Sequence, residues 1–208
     1  MEMNDQKIID RRAFIKASAL FAMAVSVPVA ACKEDKDGDP EPSVCRTTED
    51  ILGPFYKSGA PFRELIIPGG NTTSPLIIEG KVFSNCDDLI KDAIVEIWNA
   101  NENGEYYLSD NFIFRGAFKT GSDGHYKFKT IVPGRYLNGS IYRPSHLHFR
   151  ITASGHEALV SQVYFANDPF IATDPWASTP QAVERILTVE KDEDNTDTVT
   201  FDIHLSPL

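Results

Sequence analysis

The sequence predicts an all-β fold, an antiparallel β-sandwich, and three observations lead there. Eight short segments are rich in β-branched and aromatic residues, turn formers stand between them, and no helical pattern runs beyond two turns. There is no internal repeat and no heptad pattern. At 208 residues the chain can build one domain with a sizeable core, and it is too short for two ordinary ones.

Residues 76–83 and 93–98 open the series, the second followed by an Asn101-Glu102-Asn103-Gly104 turn. Residues 112–118 and 125–130 come next, divided by Gly121-Ser122-Asp123-Gly124, and Pro133-Gly134 follows them. In residues 146–153, an extended backbone puts His146 and His148 on one face and turns Leu147 and Phe149 into the apolar layer. Residues 158–165 form the next strand. Residues 167–182 contain Pro169, Pro175 and Pro180 and are expected to be irregular, with one short helical turn. Residues 185–189 and 198–205 complete the set. In the last, Val199, Phe201, Ile203 and Leu205 alternate with Thr200, Asp202 and His204, so one face is buried and the other wet.

The start of the chain stands apart from this pattern. Arg11-Arg12-Ala13-Phe14-Ile15-Lys16 is a twin-arginine pattern, and the apolar run at 17–31 is shorter than the roughly 20 residues an ordinary membrane-spanning helix needs. Residues 1–31 are therefore expected to be an export signal outside the fold. Val29-Ala30-Ala31-Cys32 resembles a bacterial lipobox, which would make Cys32 a lipidated anchor and place the protein, exported, in the bacterial cell envelope. Residues 32–46 read as a polar tether and residues 47–208 as the folded domain. Of 20 basic and 30 acidic residues, four and three lie in 1–31, which leaves 16 against 27. That excess argues against nucleic acid or anionic lipid as the main partner, so membrane contact is expected through the N-terminal lipid alone. Outside a reducing compartment, Cys45 and Cys86 are candidate disulfide partners.

His146 and His148 beside Arg143 look like half a metal site, though a lone pair of this kind is more often a surface feature than a ligand set. Tyr106 and Tyr136 could add phenolate oxygens, which suit a hard ferric ion once the metal displaces a proton of ordinary pKa about 10. Taken singly, each tyrosine is more often a packing residue with a hydrogen-bonded hydroxyl. The surrounding blocks carry more information. Gly53-Pro54-Phe55-Tyr56, then Ala93 to Asn101 with Gly104 and Tyr106, then Thr130-Ile131-Val132-Pro133-Gly134-Arg135-Tyr136 stand in that order. Arg143-Pro144-Ser145-His146-Leu147-His148-Phe149 and Ser161-Gln162-Val163-Tyr164-Phe165 follow. This series resembles the intradiol ring-cleavage dioxygenases over nearly all of residues 47–205.

The resemblance implies a β-sandwich of the transthyretin-like type holding one mononuclear non-haem Fe(3+). Tyr106 and His148 match the equatorial ligands, and Tyr136 and His146 match the axial pair. Tyr136 is also the implied leaving ligand and proton acceptor. Arg143 matches an arginine over the substrate ring, Gln162 a glutamine lining the same pocket, and Tyr56 is a candidate at its border. The implied reaction inserts both atoms of O2 into a small aromatic diol of the catechol type and gives a cis,cis-muconate type diacid. The chain departs from the family at Asn85-Cys86-Asp87-Asp88-Leu89, where many members carry a Gly-x-Pro turn, and at the short stretch from Leu137 to Arg143. The front helical dimerisation segment of the catechol-specific group has no counterpart, so the form is expected to be nearer the protocatechuate-type subunits; a homo-oligomer is left open. His125, His156 and His204 are expected to be structural or surface residues. The competing expectation is a lipid-anchored, non-catalytic transthyretin-like binding module.

Overall fold

A computed structural model describes residues 45–208; the predicted export signal, Cys32 and tether residues 33–44 lie outside the described residues. Thirteen strands carry the fold: β1 (Pro75–Ser84), β2 (Asp88–Leu89), β3 (Ile94–Trp98), β4 (Arg115–Lys119), β5 (His125–Ile131), β6 (Tyr136–Asn138) and β7 (Ile141–Arg143), then β8 (His146–Thr152), β9 (Leu159–Phe165), β10 (Ile186–Leu187), β11 (Glu190–Lys191), β12 (Asp197–Thr200) and β13 (Ile203–Leu205). One sheet runs β11-β12-β1-β13, with β2 and β5 also paired to β1; the other runs β10-β9-β8-β3-β4. The strands β6 and β7 form a separate ribbon.

Alternation explains the core between the two sheets. Leu76, Ile78 and Val82 of β1 and Tyr126 and Phe128 of β5 meet Val95 and Ile97 of β3, Leu147, Phe149 and Ile151 of β8, and Val163 of β9, all fully buried or nearly so. On β8 the opposite set, His146 and His148, is buried as well, beneath loops that cover the outer face of the second sheet. A strand buried on both faces reads as a continuous buried run, and here the second face is polar.

Several elements differ from the sequence expectation for local reasons. Most pairings are antiparallel, yet β1 pairs parallel with β12 and β13, and β9 with β10. The predicted strand 198–205 breaks at Phe201 and Asp202. The Phe201 carbonyl there turns to accept the Tyr126 hydroxyl at 2.6 Å. A β-carbon on Gly80 would meet that oxygen at 2.1 Å, so glycine admits it. The predicted strand 112–118 begins only at Arg115, because Phe112 and Phe114 hold positive φ (51° and 52°). Residues 167–182 hold the turn Ile171–Thr173 and the start of a second, Pro180–Arg185, both 3-10 rather than one. Arg185 ends that second turn, which shortens the predicted strand 185–189 to Ile186–Leu187.

The tether boundary moves too. Cys45, assigned to the tether, is bonded to Cys86, and Arg46 pairs with Glu49 at 2.5 Å and Glu157 at 3.2 Å. Cys86 sits in the β1–β2 turn, where Asn85 takes φ 54°.

Candidate metal centre

The pairing of β8 with its neighbours puts Trp98, His148 and Gln162 in one row across the outer face, and His146 and Tyr164 in the next. His146 Nδ1 lies 2.6 Å from the Pro144 carbonyl and donates to it, which leaves the lone pair on Nε2. His148 is held differently, by the Trp98 ring stacked on it at 4.9 Å and by Gly53, where a β-carbon would come within 3.1 Å of Cε1. Both Nε2 atoms face one oxygen. Tyr106 Oη lies 3.2 Å from that of His146 and 3.1 Å from that of His148.

A loop carries Tyr106, and the short strand β6 opens on Tyr136. Asn101, buried, accepts from the backbone N–H groups of Asn103 and Glu105 through Oδ1 and donates through Nδ2 to Glu105 and the Tyr107 hydroxyl. Its carbonyl accepts from the Gly134 N–H at 2.8 Å, which locks the Tyr106 loop to the segment leading into Tyr136. The Tyr136 ring then stands edge-on to Tyr106 at 5.8 Å and tilted to His146 at 5.6 Å. Phe55 stacks on Tyr106 at 4.2 Å and meets Tyr136 edge-on at 6.1 Å.

Burial sets the protonation of this group. It lowers His146 to about 4 and His148 well below its ordinary value, with the Arg143 charge acting in the same direction on both. It also raises Tyr106 and Tyr136, while Arg143 pulls each back. At neutral pH the set is two neutral imidazoles and two phenols. Among the described residues His148 has no partner on Nδ1 to oppose a tautomer that leaves its Nε2 lone pair free, and both Nε2 atoms then converge on the Tyr106 oxygen. A cation that displaces the phenol protons would take up both Nε2 lone pairs and the phenolate oxygens, and two phenolate oxygens with two imidazoles suit a hard trivalent ion. The residues present fit ferric iron.

Arg143 is buried beside them. Its Nε donates to Asp174 at 2.7 Å and its Nη2 to Gln162 Oε1 at 3.1 Å and the Tyr164 hydroxyl at 3.3 Å. The Trp176 ring lies 4.4 Å from its guanidinium carbon. The guanidinium also interacts with the Tyr136 hydroxyl. Tyr106, Tyr136, His146, His148, Arg143 and Gln162 are thus brought together. Tyr56 is one ring removed: it packs on Trp98 at 5.1 Å and donates to Glu96 at 3.2 Å. Its neighbour Phe55 takes the place beside the tyrosines. Phe55, Trp98 and Tyr164 were legible only as members of matching blocks, and Asp174 and Trp176 lie in a loop with no periodicity to mark them. His125, His156 and His204 sit elsewhere, the last stacked on Phe83.

A family model described as "Dioxygenase" matches residues 51–207. Chlorocatechol 1,2-dioxygenase of Pseudomonas putida is 30% identical over 169 residues, 67% of this chain and 65% of that protein. The protocatechuate 3,4-dioxygenase beta chain of Burkholderia cepacia is 32% identical over 147 residues, 64% of this chain and 58% of that one. Among solved structures, the dioxygenase domain of a carbohydrate-binding fusion from Streptomyces sp. SirexAA-E aligns with TM-score 0.69 at 29% identity, covering 79% of this chain and all of that one. Catechol 1,2-dioxygenase of Acinetobacter radioresistens aligns with TM-score 0.70 at 26% identity, covering 78% and 63%. The chain spans about 65% of the length of the first curated relatives it matches.

Proposed function

Because the chain belongs to the intradiol ring-cleavage dioxygenase family, whose members use non-haem iron, we propose that it is a ferric intradiol dioxygenase acting on a small catechol-type diol. The observation that carries this reading is Tyr106 Oη standing between the Nε2 atoms of His146 and His148, with Tyr136 completing the set. In the proposed site Tyr106, Tyr136, His146 and His148 hold one ferric ion. Bound there, the ion supplies the Lewis acid that binds the catecholate oxygens and the electron-accepting centre that opens the ring to O2.

The remaining chemistry falls to the side chains. A catechol binding as its dianion gives up two protons; Tyr136, the less buried of the two tyrosines, would accept one on its phenolate oxygen, and the other would pass to solvent. Burial raises the pKa of Tyr136, so that oxygen would keep its proton. The Arg143 guanidinium interacts with Tyr136, and its fixed charge stabilises negative charge that develops on the ring as oxygen adds. Gln162 and Asp174 hold the guanidinium in place. Both atoms of O2 enter the product, a cis,cis-muconate type diacid cleaved between the hydroxyl-bearing carbons.

The test is the iron-reconstituted chain incubated with a panel of catechols under air. A diacid product with 18O2 label in both carboxyl groups is expected. A yellow semialdehyde would place cleavage outside the two hydroxyls, and no turnover with bound iron would overturn the enzymatic reading. We also place the protein in the bacterial envelope, anchored through Cys32, on the twin-arginine and lipobox patterns and the Cys45–Cys86 disulfide. Fractionation of cells making wild type or Cys32→Ser tests that location; release of the variant from the membrane is expected, and equal partition of the two counts against it.

A further inference from the structure

Arg143 does not hold itself in place, and its partners have a polarity that something must set. Gln162 can present either its carbonyl oxygen or its NH2 group to Arg143, and only the oxygen accepts. The Tyr164 hydroxyl has a single proton. If that proton pointed elsewhere than Asp50, the oxygen lone pairs would be turned away from the guanidinium.

Asp50 meets both groups from behind. Its Oδ1 accepts from Gln162 Nε2 at 3.2 Å, and the Ile51 carbonyl accepts from the same nitrogen at 2.7 Å. Its Oδ2 accepts the Tyr164 hydroxyl at 2.8 Å and Arg185 Nη1 at 2.6 Å. The Asp50 side chain is 1% exposed and that of Arg185 2%, and Arg185 is held in turn by Thr48 Oγ1 and the Gln162 carbonyl. A carboxylate paired with an arginine, as Asp50 is with Arg185, only accepts. With the Ile51 carbonyl it therefore draws the Gln162 NH2, and by itself the Tyr164 proton, away from Arg143, which leaves Gln162 Oε1 and a Tyr164 lone pair facing Arg143 Nη2 at 3.1 and 3.3 Å. Asp174 holds Nε independently.

We propose that Asp50, in the segment just after the disulfide, is a positioning residue for ring cleavage: it sets the polarity of Gln162 and Tyr164 and through them fixes the Arg143 guanidinium. The inference rests on the dioxygenase reading for its kinetic consequence and on geometry alone for the link itself. Asp50→Asn keeps the shape and replaces one acceptor with a donor, so one of Gln162, Tyr164 and Arg185 must turn or lose its partner. Tyr164→Phe cuts one arm of the route and leaves the Asp50–Arg185 pair intact, which covers the case that Asp50→Asn does not fold.

The experiment uses the full chain. With iron and a catechol, Asp50→Asn is expected to lower kcat at least tenfold with KM changed less than threefold, and Tyr164→Phe to lower kcat three- to tenfold. The double variant should be no slower than Asp50→Asn alone, because both act through one route. In the iron-free chain, Trp176 emission, isolated as the difference from Trp176→Phe, should shift in Asp50→Asn and Tyr164→Phe as Arg143 moves off the ring. Unchanged kcat and emission in folded Asp50→Asn, or unchanged values in Tyr164→Phe where that variant alone folds, would overturn the proposal, as would multiplicative kinetic losses. If the wild type turns over no catechol the functional reading fails, and the emission arm still decides whether Asp50 fixes Arg143.

Discussion

A β-carbon on Gly104 would stand 2.3 Å from the Arg135 carbonyl oxygen and 3.0 Å from Tyr136 Cβ. The loop that carries Tyr106 thus touches the segment that carries Tyr136, backbone against backbone. Gly134 is matched to the other side, where a β-carbon would meet the Glu102 carbonyl at 2.3 Å. Gly104 also has φ 82°, which L side chains rarely adopt. Gly104→Ala is expected to cost about 2 kcal/mol or more in denaturant unfolding. The same variant should weaken iron binding in a chelator titration, since the tyrosines can no longer meet at the observed spacing. Unchanged iron affinity in a folded variant would separate the loop contact from the metal centre.

The two tyrosines should respond differently to loss of the hydroxyl. Tyr106 Oη is shared by both histidines, so Tyr106→Phe is expected to abolish stoichiometric iron. Tyr136→Phe should retain iron on three side chains and shift the visible phenolate band, with kcat reduced about a hundredfold through loss of its proton-accepting role. Iron content by metal analysis and the absorption spectrum check both. Equal iron loss in the two variants would sink this division of roles.

The histidines predict the acid behaviour of the iron-free chain. His146 sits at about 4 in the folded state against about 6.5 unfolded, so the unfolded chain binds more protons between those values. Its contribution to stability is therefore fully present above about 6.5 and lost as pH falls through about 4. The size is roughly 3 kcal/mol from His146, and His148, also lowered by burial, adds to it in the same direction. Urea midpoints measured from pH 7 to 4 should fall across this window, and His146→Gln should flatten the slope. A midpoint that holds steady down to pH 4 would contradict the burial argument.

Asp174 is fully buried and pairs with Arg143, itself 2% exposed. Asp174→Ala leaves an uncompensated buried guanidinium, and about 3–5 kcal/mol of stability is expected to go with it. It also frees Nε, so kcat should fall in whatever fraction remains folded. Chemical denaturation and steady-state kinetics on the same preparation check the two effects.

What the sequence made legible follows from which residues obey a period. His146 and His148 alternate with Leu147 and Phe149 because β8 is extended and inserted between β3 and β9, so the face they share could be read directly. Of their tyrosine partners, Tyr106 lies on a loop and Tyr136 opens the three-residue strand β6, too short for a period to set direction, and only the resemblance of whole blocks pointed to them. Tyr56 shows the limit. Within Gly53-Pro54-Phe55-Tyr56 the backbone decides which ring turns inward, and it is Phe55 that stacks on Tyr106 while Tyr56 reaches Glu96. The break at Phe201 was equally hidden, since it depends on Gly80 in a strand more than a hundred residues earlier.

The disulfide links stability to the site. Cys45 and Cys86 are 41 residues apart, and loop closure over that length is worth about 4 kcal/mol in the chain-entropy treatment. The bond holds the start of a segment whose next residues pair with the second sheet: Asp50 N–H donates to the Val160 carbonyl at 2.9 Å, and Ser161 Oγ to the Thr48 carbonyl at 2.9 Å. Cys86→Ser should therefore lower the denaturation midpoint and, under mild denaturant, loosen residues 45–51 before the sheets. Hydrogen exchange at Asp50 N–H measures this directly. Faster exchange there, with β1 and β8 amides still protected, is expected; uniform loosening of the whole domain would mean the bond stabilises the fold without singling out the segment that carries Asp50.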